Sequence, residues 1–138
     1  MKHAMFHLSF PVRDLQEARN FYIGALGCAA GRVRDTWMDI YFFGHQITLH
    51  EAPDQVLSIE QAGVRHFGII LEWQAWMAFG ALLADSGLEP LSPPQVKYEG
   101  EPEEQGKILL RDPSGNLIEI KAYRNPPVAL ELPDAISG

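Results

Sequence analysis

Apolar and polar residues alternate over Phe6-His7-Leu8-Ser9-Phe10-Pro11-Val12, the period of a strand with one covered face. Asp14 is placed to cap a helix, and Ala18, Phe21, Tyr22 and Leu26 then recur at helical spacing up to Gly27. Three strand-like runs follow over residues 28–34, 37–43 and 46–51, with Gly44-His45 as a tight turn between the last two. A polar stretch fills 54–63, after which His66-Phe67-Gly68-Ile69-Ile70-Leu71 repeats the opening pattern. Residues 73–86 read as a helix with Trp76, Phe79, Leu82 and Leu83 on one face, closed by Gly87. Runs over 96–98, 108–112 and 117–123 complete the second half, and Asp112-Pro113-Ser114-Gly115 turns the chain into the last of them. The order βαβββ therefore occurs twice. It predicts an α+β fold of two paired βαβββ modules, about 4–53 and about 64–124, with a C-terminal tail over 125–138.

Strand parity sorts the polar residues. Alternate residues share a face, so Phe6, Leu8 and Phe10 belong under the first helix and His7 and Ser9 face away from it. By the same count His66, Gly68 and Ile70 oppose the helix side of the second module, and so do Leu117, Glu119 and Lys121. Ile47 and Leu49 point to the helix, which turns Gln46, Thr48 and His50 the other way; Glu51 is left on the helix side. Two histidines and one carboxylate on such faces are the donor set of an open metal site, because they leave coordination positions for substrate. His7, His66 and Glu119 are the candidate ligands, and His50 is a candidate catalytic acid/base or further ligand. Trp37, Asp39 and Tyr41 share one strand face and, with Thr48 and Tyr98, are candidate substrate-contacting residues. Arg32, Arg34 or Arg111 could hold an anionic end of a substrate.

Composition narrows the class. One domain suits 138 residues. With 11 Lys+Arg against 18 Asp+Glu, a nucleic-acid or anionic-membrane surface is disfavoured, since either wants a concentrated basic face. A small-molecule substrate is expected instead. The lone Cys28 offers no intrachain disulfide, and it reads as packing rather than as a nucleophile. No run of about 18 apolar residues is present, and a cytoplasmic location is expected. His45, in a turn, and His3, in the terminal segment, read as bystanders. The glycine- and acid-rich run over 98–106 is either a solvated hairpin or a segment that closes over substrate.

The run His7-Leu8-Ser9-Phe10-Pro11-Val12-Arg13-Asp14 with Ala18, Phe21-Tyr22 and Leu26-Gly27, then Arg65-His66-Phe67-Gly68, then Asp112-Pro113-Ser114-Gly115-Asn116-Leu117-Ile118-Glu119, resembles the vicinal oxygen chelate superfamily. Glyoxalase I, bleomycin-resistance proteins, fosfomycin-resistance thiol transferases, methylmalonyl-CoA epimerase and extradiol dioxygenases belong to it. The resemblance covers roughly residues 4–124. It implies a barrel-like mixed sheet curled around one divalent metal ion (Fe, Mn, Zn or Ni), held by His7, His66 and Glu119. It also implies a homodimer, whose ligands in several members come from two chains. A local charge of about +1 around such an ion suits an enolate, alkoxide, catecholate or phosphonate oxygen. Leu109 stands where extradiol dioxygenases carry a tyrosine, and Thr48 or His50 where glyoxalase I carries a further acidic group. The expectation is a metal-dependent enzyme, dioxygenase-like ahead of a glyoxalase- or epimerase-type lyase or isomerase; the alternative is a metal-free, ligand-sequestering protein of the bleomycin-resistance type.

Overall fold

The computed structural model describes residues 4–137, so His3 lies outside the described residues. Two units emerge, Met1–Arg65 with Arg111–Asn116, and His66–Leu110 with Leu117–Gly138. Each holds an open four-stranded sheet, and neither sheet closes into a barrel.

In the first unit β1 (His7–Val12) leads into α1 (Leu15–Arg19), which continues as a π-helical stretch over Asn20–Ala25, and then into β2 (Ala29–Val33), β3 (Trp37–Phe42) and β4 (His45–Glu51). The sheet order is β1-β4-β3-β2, with β1 parallel to β4 and the rest antiparallel. Asp14 caps α1 as expected, its carboxylate accepting from Glu17 N–H at 2.8 Å. Glu51 completes that end by accepting from Leu15 N–H at 3.0 Å, which fixes it on the helix side of β4. The tight turn falls on Phe43-Gly44 rather than Gly44-His45. Both residues have positive φ, 49° and 82°, the backbone a two-residue hairpin turn requires. His45 instead opens β4, where its Nδ1 accepts from Phe6 N–H at 3.1 Å.

The second unit runs β5 (His66–Leu71), α3 (Trp73–Ser86), β6 (Ser92–Lys97), β7 (Gln105–Arg111) and β8 (Leu117–Tyr123), with sheet order β5-β8-β7-β6. Along the chain between β4 and β5 come a 3₁₀ turn over Pro53–Gln55 and α2 (Ile59–Ala62), and after β8 come α4 (Pro126–Ala129) and α5 (Asp134–Ser137). The segment expected to be merely polar thus contains α2. Ser58 and Gln61 explain it by forming a capping box.

The core positions follow the expected parity with one exception: Phe6, which the count placed under the first helix, lies just before β1 begins at His7 and is 62% exposed. Met38, Ile40, Phe42, Ile47 and Leu49 are buried in the first unit, and Ile108, Leu110, Ile118, Ile120 and Ala122 in the second. One expectation for α3 fails: Leu82 is 67% exposed, and the buried residues are Trp73, Trp76 and Leu83. Trp76 sets that face. Its indole N–H donates to the Ile120 carbonyl at 3.0 Å, and its ring fills the space a side chain at Gly106 would need.

The Asp112–Asn116 turn does more than aim the last strand. Asp112 is buried and accepts from Ser114 N–H, Asn116 N–H, the Asn116 amide and the Tyr22 hydroxyl at 2.9, 2.8, 2.8 and 2.7 Å. Burial first, and the Asp112 carboxylate second, push the Tyr22 phenol well above its ordinary pKa. Ser114 Oγ accepts from Arg13 N–H at 2.8 Å, and Arg111 donates to the Gly115 carbonyl at 3.0 Å. Arg111 thereby braces the turn.

Candidate functional site

The helix-free face of the first sheet gathers most of the candidates. The register pairs His7 with Gln46, Ser9 with Thr48 and Pro11 with His50, while Trp37, Asp39 and Tyr41 pair with His50, Thr48 and Gln46. Directly paired residues point to the same side, so His7, His50, Trp37, Asp39, Tyr41 and Thr48 share one face, as parity predicts. His7 and His50 are exposed. His50 also lines a cleft of about 360 Å³ together with Ser9, Pro11, Thr36 and Glu51.

Asp39 is the unusual member. Its side chain is fully buried, and its two oxygens accept from Thr48 Oγ1 at 2.7 Å and from Arg32 Nε at 2.6 Å. Burial alone would raise its pKa, yet the bonds from Arg32 and Thr48 and the charges of Arg32 and His7 outweigh that and hold it below the ordinary value. The Arg32 guanidinium also lies over the Trp37 ring, 4.9 Å from the centroid, and Arg34 approaches the same ring at 5.6 Å.

In the second unit His66 pairs with Leu117 and Gly68 with Glu119, so His66 and Glu119 occupy the same face two residues apart on adjacent strands. His66 is exposed and the Glu119 side chain is 12% exposed. Two partners went unforeseen: Lys107 Nζ lies 3.4 Å from Glu119 Oε2 and Lys121 Nζ 3.4 Å from Oε1. Lys121, two residues beyond Glu119 on one strand, was within reach of the parity argument; Lys107 needed the pairing of β7 with β8, which no local pattern encodes. Burial, which alone would lower the Lys121 pKa, is outweighed by Tyr123 and Glu119, and the ammonium is stabilised.

Tyr98 sits just past β6, half-exposed with φ 55°. The hairpin it begins is tied down by Glu104, which accepts from Gly100 N–H at 3.1 Å and from Arg124 Nε at 3.2 Å. Cys28 is buried, which pushes its thiol up to about 12, so it is no nucleophile near neutrality.

Among the described residues no group of three or more His, Cys, Asp or Glu side chains is gathered closely enough to hold a metal ion. The donor chemistry nevertheless suits one: two accessible imidazoles and a carboxylate that is not saturated. Ammonium–carboxylate distances of 3.4 Å are long against the roughly 2.7–2.9 Å of a charge-assisted bond, so neither lysine fully occupies the Glu119 oxygens. No described helix is long and apolar enough to cross a membrane.

Comparison with known proteins bears on the family and the fold. The chain matches a structure described as a glyoxalase/bleomycin resistance protein/dioxygenase from Alicyclobacillus acidocaldarius at 34% identity, over 87% of this chain and 91% of that one, with a TM-score of 0.75. A virulence protein from Salmonella typhimurium matches at 25% identity over 88% and 97%, with a TM-score of 0.60. The genomically encoded fosfomycin resistance protein FosX from Listeria monocytogenes shares the fold at 16% identity over 88% and 94%, with a TM-score of 0.65. No curated protein matches the chain. The family model described as Glyoxalase/Bleomycin resistance protein/Dioxygenase superfamily covers residues 4–120, most of both βαβββ repeats, and the chain belongs to that superfamily.

Proposed function

We propose that the protein is a metal-dependent enzyme acting on a small, oxygen-rich substrate, with dioxygenase-like ring chemistry ahead of lyase or isomerase chemistry. The observation that carries the reading is the common phase of the donors. His66 and Glu119 share one face of the second sheet, and His7 and His50 share the corresponding face of the first, opposite the apolar core in each case. His7, His66 and Glu119 would hold the ion, which would supply a Lewis acid or redox centre when bound. The protein's own residues do the rest. His50, exposed beside its cleft, is the acid/base candidate; Trp37, Asp39, Tyr41, Thr48 and Tyr98 would contact or position substrate. A homodimer in the cytoplasm completes the proposal.

The ion triplet Lys107–Glu119–Lys121 favours a second reading. A carboxylate already neutralised by two ammonium groups can serve a metal-free, ligand-sequestering protein. Metal analysis of protein purified without chelator, with and without reductant, separates the two. The enzyme reading expects about one divalent ion per chain and at least about a tenfold loss of affinity in each of His7→Ala, His66→Ala and Glu119→Ala. Metal content that stays negligible, or that all three variants retain unchanged, refutes it.

A further inference from the structure

We propose that Arg32 is a pre-oriented receptor for the oxyanion end of a small molecule, a carboxylate or a phosphonate, on the helix-free face of the first sheet. The inference goes beyond the metal reading and does not depend on it.

The local backbone is the first reason. In a regular ladder Gly31 would oppose Asp39 and Arg32 would oppose Met38 on the helix side. The register instead jumps between Ala30↔Ile40 and Val33↔Met38, so β2 carries one extra residue. Such a bulge re-aims a side chain, and here it brings Arg32 to the face of Asp39. Gly31 makes the crossing possible, because a Cβ there would lie 2.8 Å from Asp39 Cβ and 2.9 Å from the Tyr41 ring.

The second reason is how the guanidinium is held. Asp39, fully buried and also bonded to Thr48, takes only the Nε edge of Arg32, at 2.6 Å. Trp37 supports one face of the plane at 4.9 Å. Orientation is therefore fixed from two sides, while the Nη groups have no hydrogen-bond partner among the described residues and the side chain is 59% exposed. Two outward amino groups on a fixed plane form the fork that grips a carboxylate or phosphonate through two parallel bonds. Asp39 cancels the charge of Arg32, and Arg34 over the same ring leaves the cluster with one surplus positive charge. Asp39 is the positioning residue.

The test uses the full-length protein after passage over a chelating resin, so that its outcome is independent of any metal. Acetate and methylphosphonate are titrated in turn, with dimethyl methylphosphonate as the uncharged control, and arginine side-chain resonances are followed by NMR. We expect saturable shifts of the Arg32 Nη signals with one or both anions and none with the neutral ester. Arg32→Gln should weaken binding at least about tenfold, and Arg32→Lys, which keeps the charge but loses the fork, should weaken it severalfold. Asp39→Asn discriminates further. It adds positive charge, so it tightens binding if charge alone is recognised and weakens it if the held fork is the receptor. Absence of saturable shifts, tighter binding by Asp39→Asn, or parent-like binding by Arg32→Lys overturns the proposal.

Discussion

At the scale of single residues, Asp39 shows how a site and its stability are tied together. Because the folded state holds its pKa below the ordinary 3.8, the unfolded chain takes up this proton first as pH falls. The stabilisation is thus fully present above about pH 4 and is lost as pH drops through the folded-state value. Asp39→Asn should be less stable near neutrality by roughly 1–3 kcal/mol, because Arg32 and Thr48 lose a charged acceptor. The gap should narrow below about pH 4. Urea unfolding of parent and variant across pH 3–7 measures it, and a gap that stays constant over that range would remove Asp39 from the account. The sequence made the face of Asp39 legible through parity, since Trp37, Asp39 and Tyr41 alternate with Met38, Ile40 and Phe42. Its burial and its arginine were not legible, because nothing in Ala29-Ala30-Gly31-Arg32-Val33 announces a bulge.

At the scale of elements, glycines mark where strands and helices come closest. A Cβ built on Gly68 would lie 1.7 Å from the Glu119 carbonyl oxygen, so β5 and β8 could not keep their spacing with alanine there. Gly68→Ala should cost at least about 2 kcal/mol, and it should disturb the shared face of His66 and Glu119 as well. Thermal unfolding by circular dichroism checks the first; an unchanged melting temperature would mean that the sheet yields without penalty. Element order and strand parity could be read from periods of two and 3.6 because each sheet buries one face. What escaped the sequence depends on contacts between distant segments. Leu82 and Leu83 both read as core positions by spacing, but with the Trp76 ring seated against Gly106 only Leu83 is buried. Asp112 likewise reads as a turn residue until its bond to Tyr22, 90 positions away in the chain, is seen.

At the scale of the whole molecule, the question is what the remaining apolar surface and open edges are for. Within their own units the sheets end on β1 and β2 and on β5 and β6, and an unpaired edge is a place where a second chain can add. Phe6 beside β1 is 62% exposed, Val64 just before β5 is 89% exposed and Ile70 within β5 is 50% exposed. Val128 in α4 adds a further exposed apolar group at 51%. Exposed apolar residues of this kind are more economically explained by association than by solvation, and a two-fold pair is the commonest closed assembly. The expected result is a homodimer, with a mass by light scattering of twice the 15.4 kDa chain at micromolar concentration. Phe6→Glu or Val64→Glu would place a charge in such an interface and should shift the equilibrium toward monomer, while leaving the circular dichroism spectrum unchanged. A parent that scatters as a strict monomer, with its metal still bound, would rule out both the dimer and any site shared between two chains.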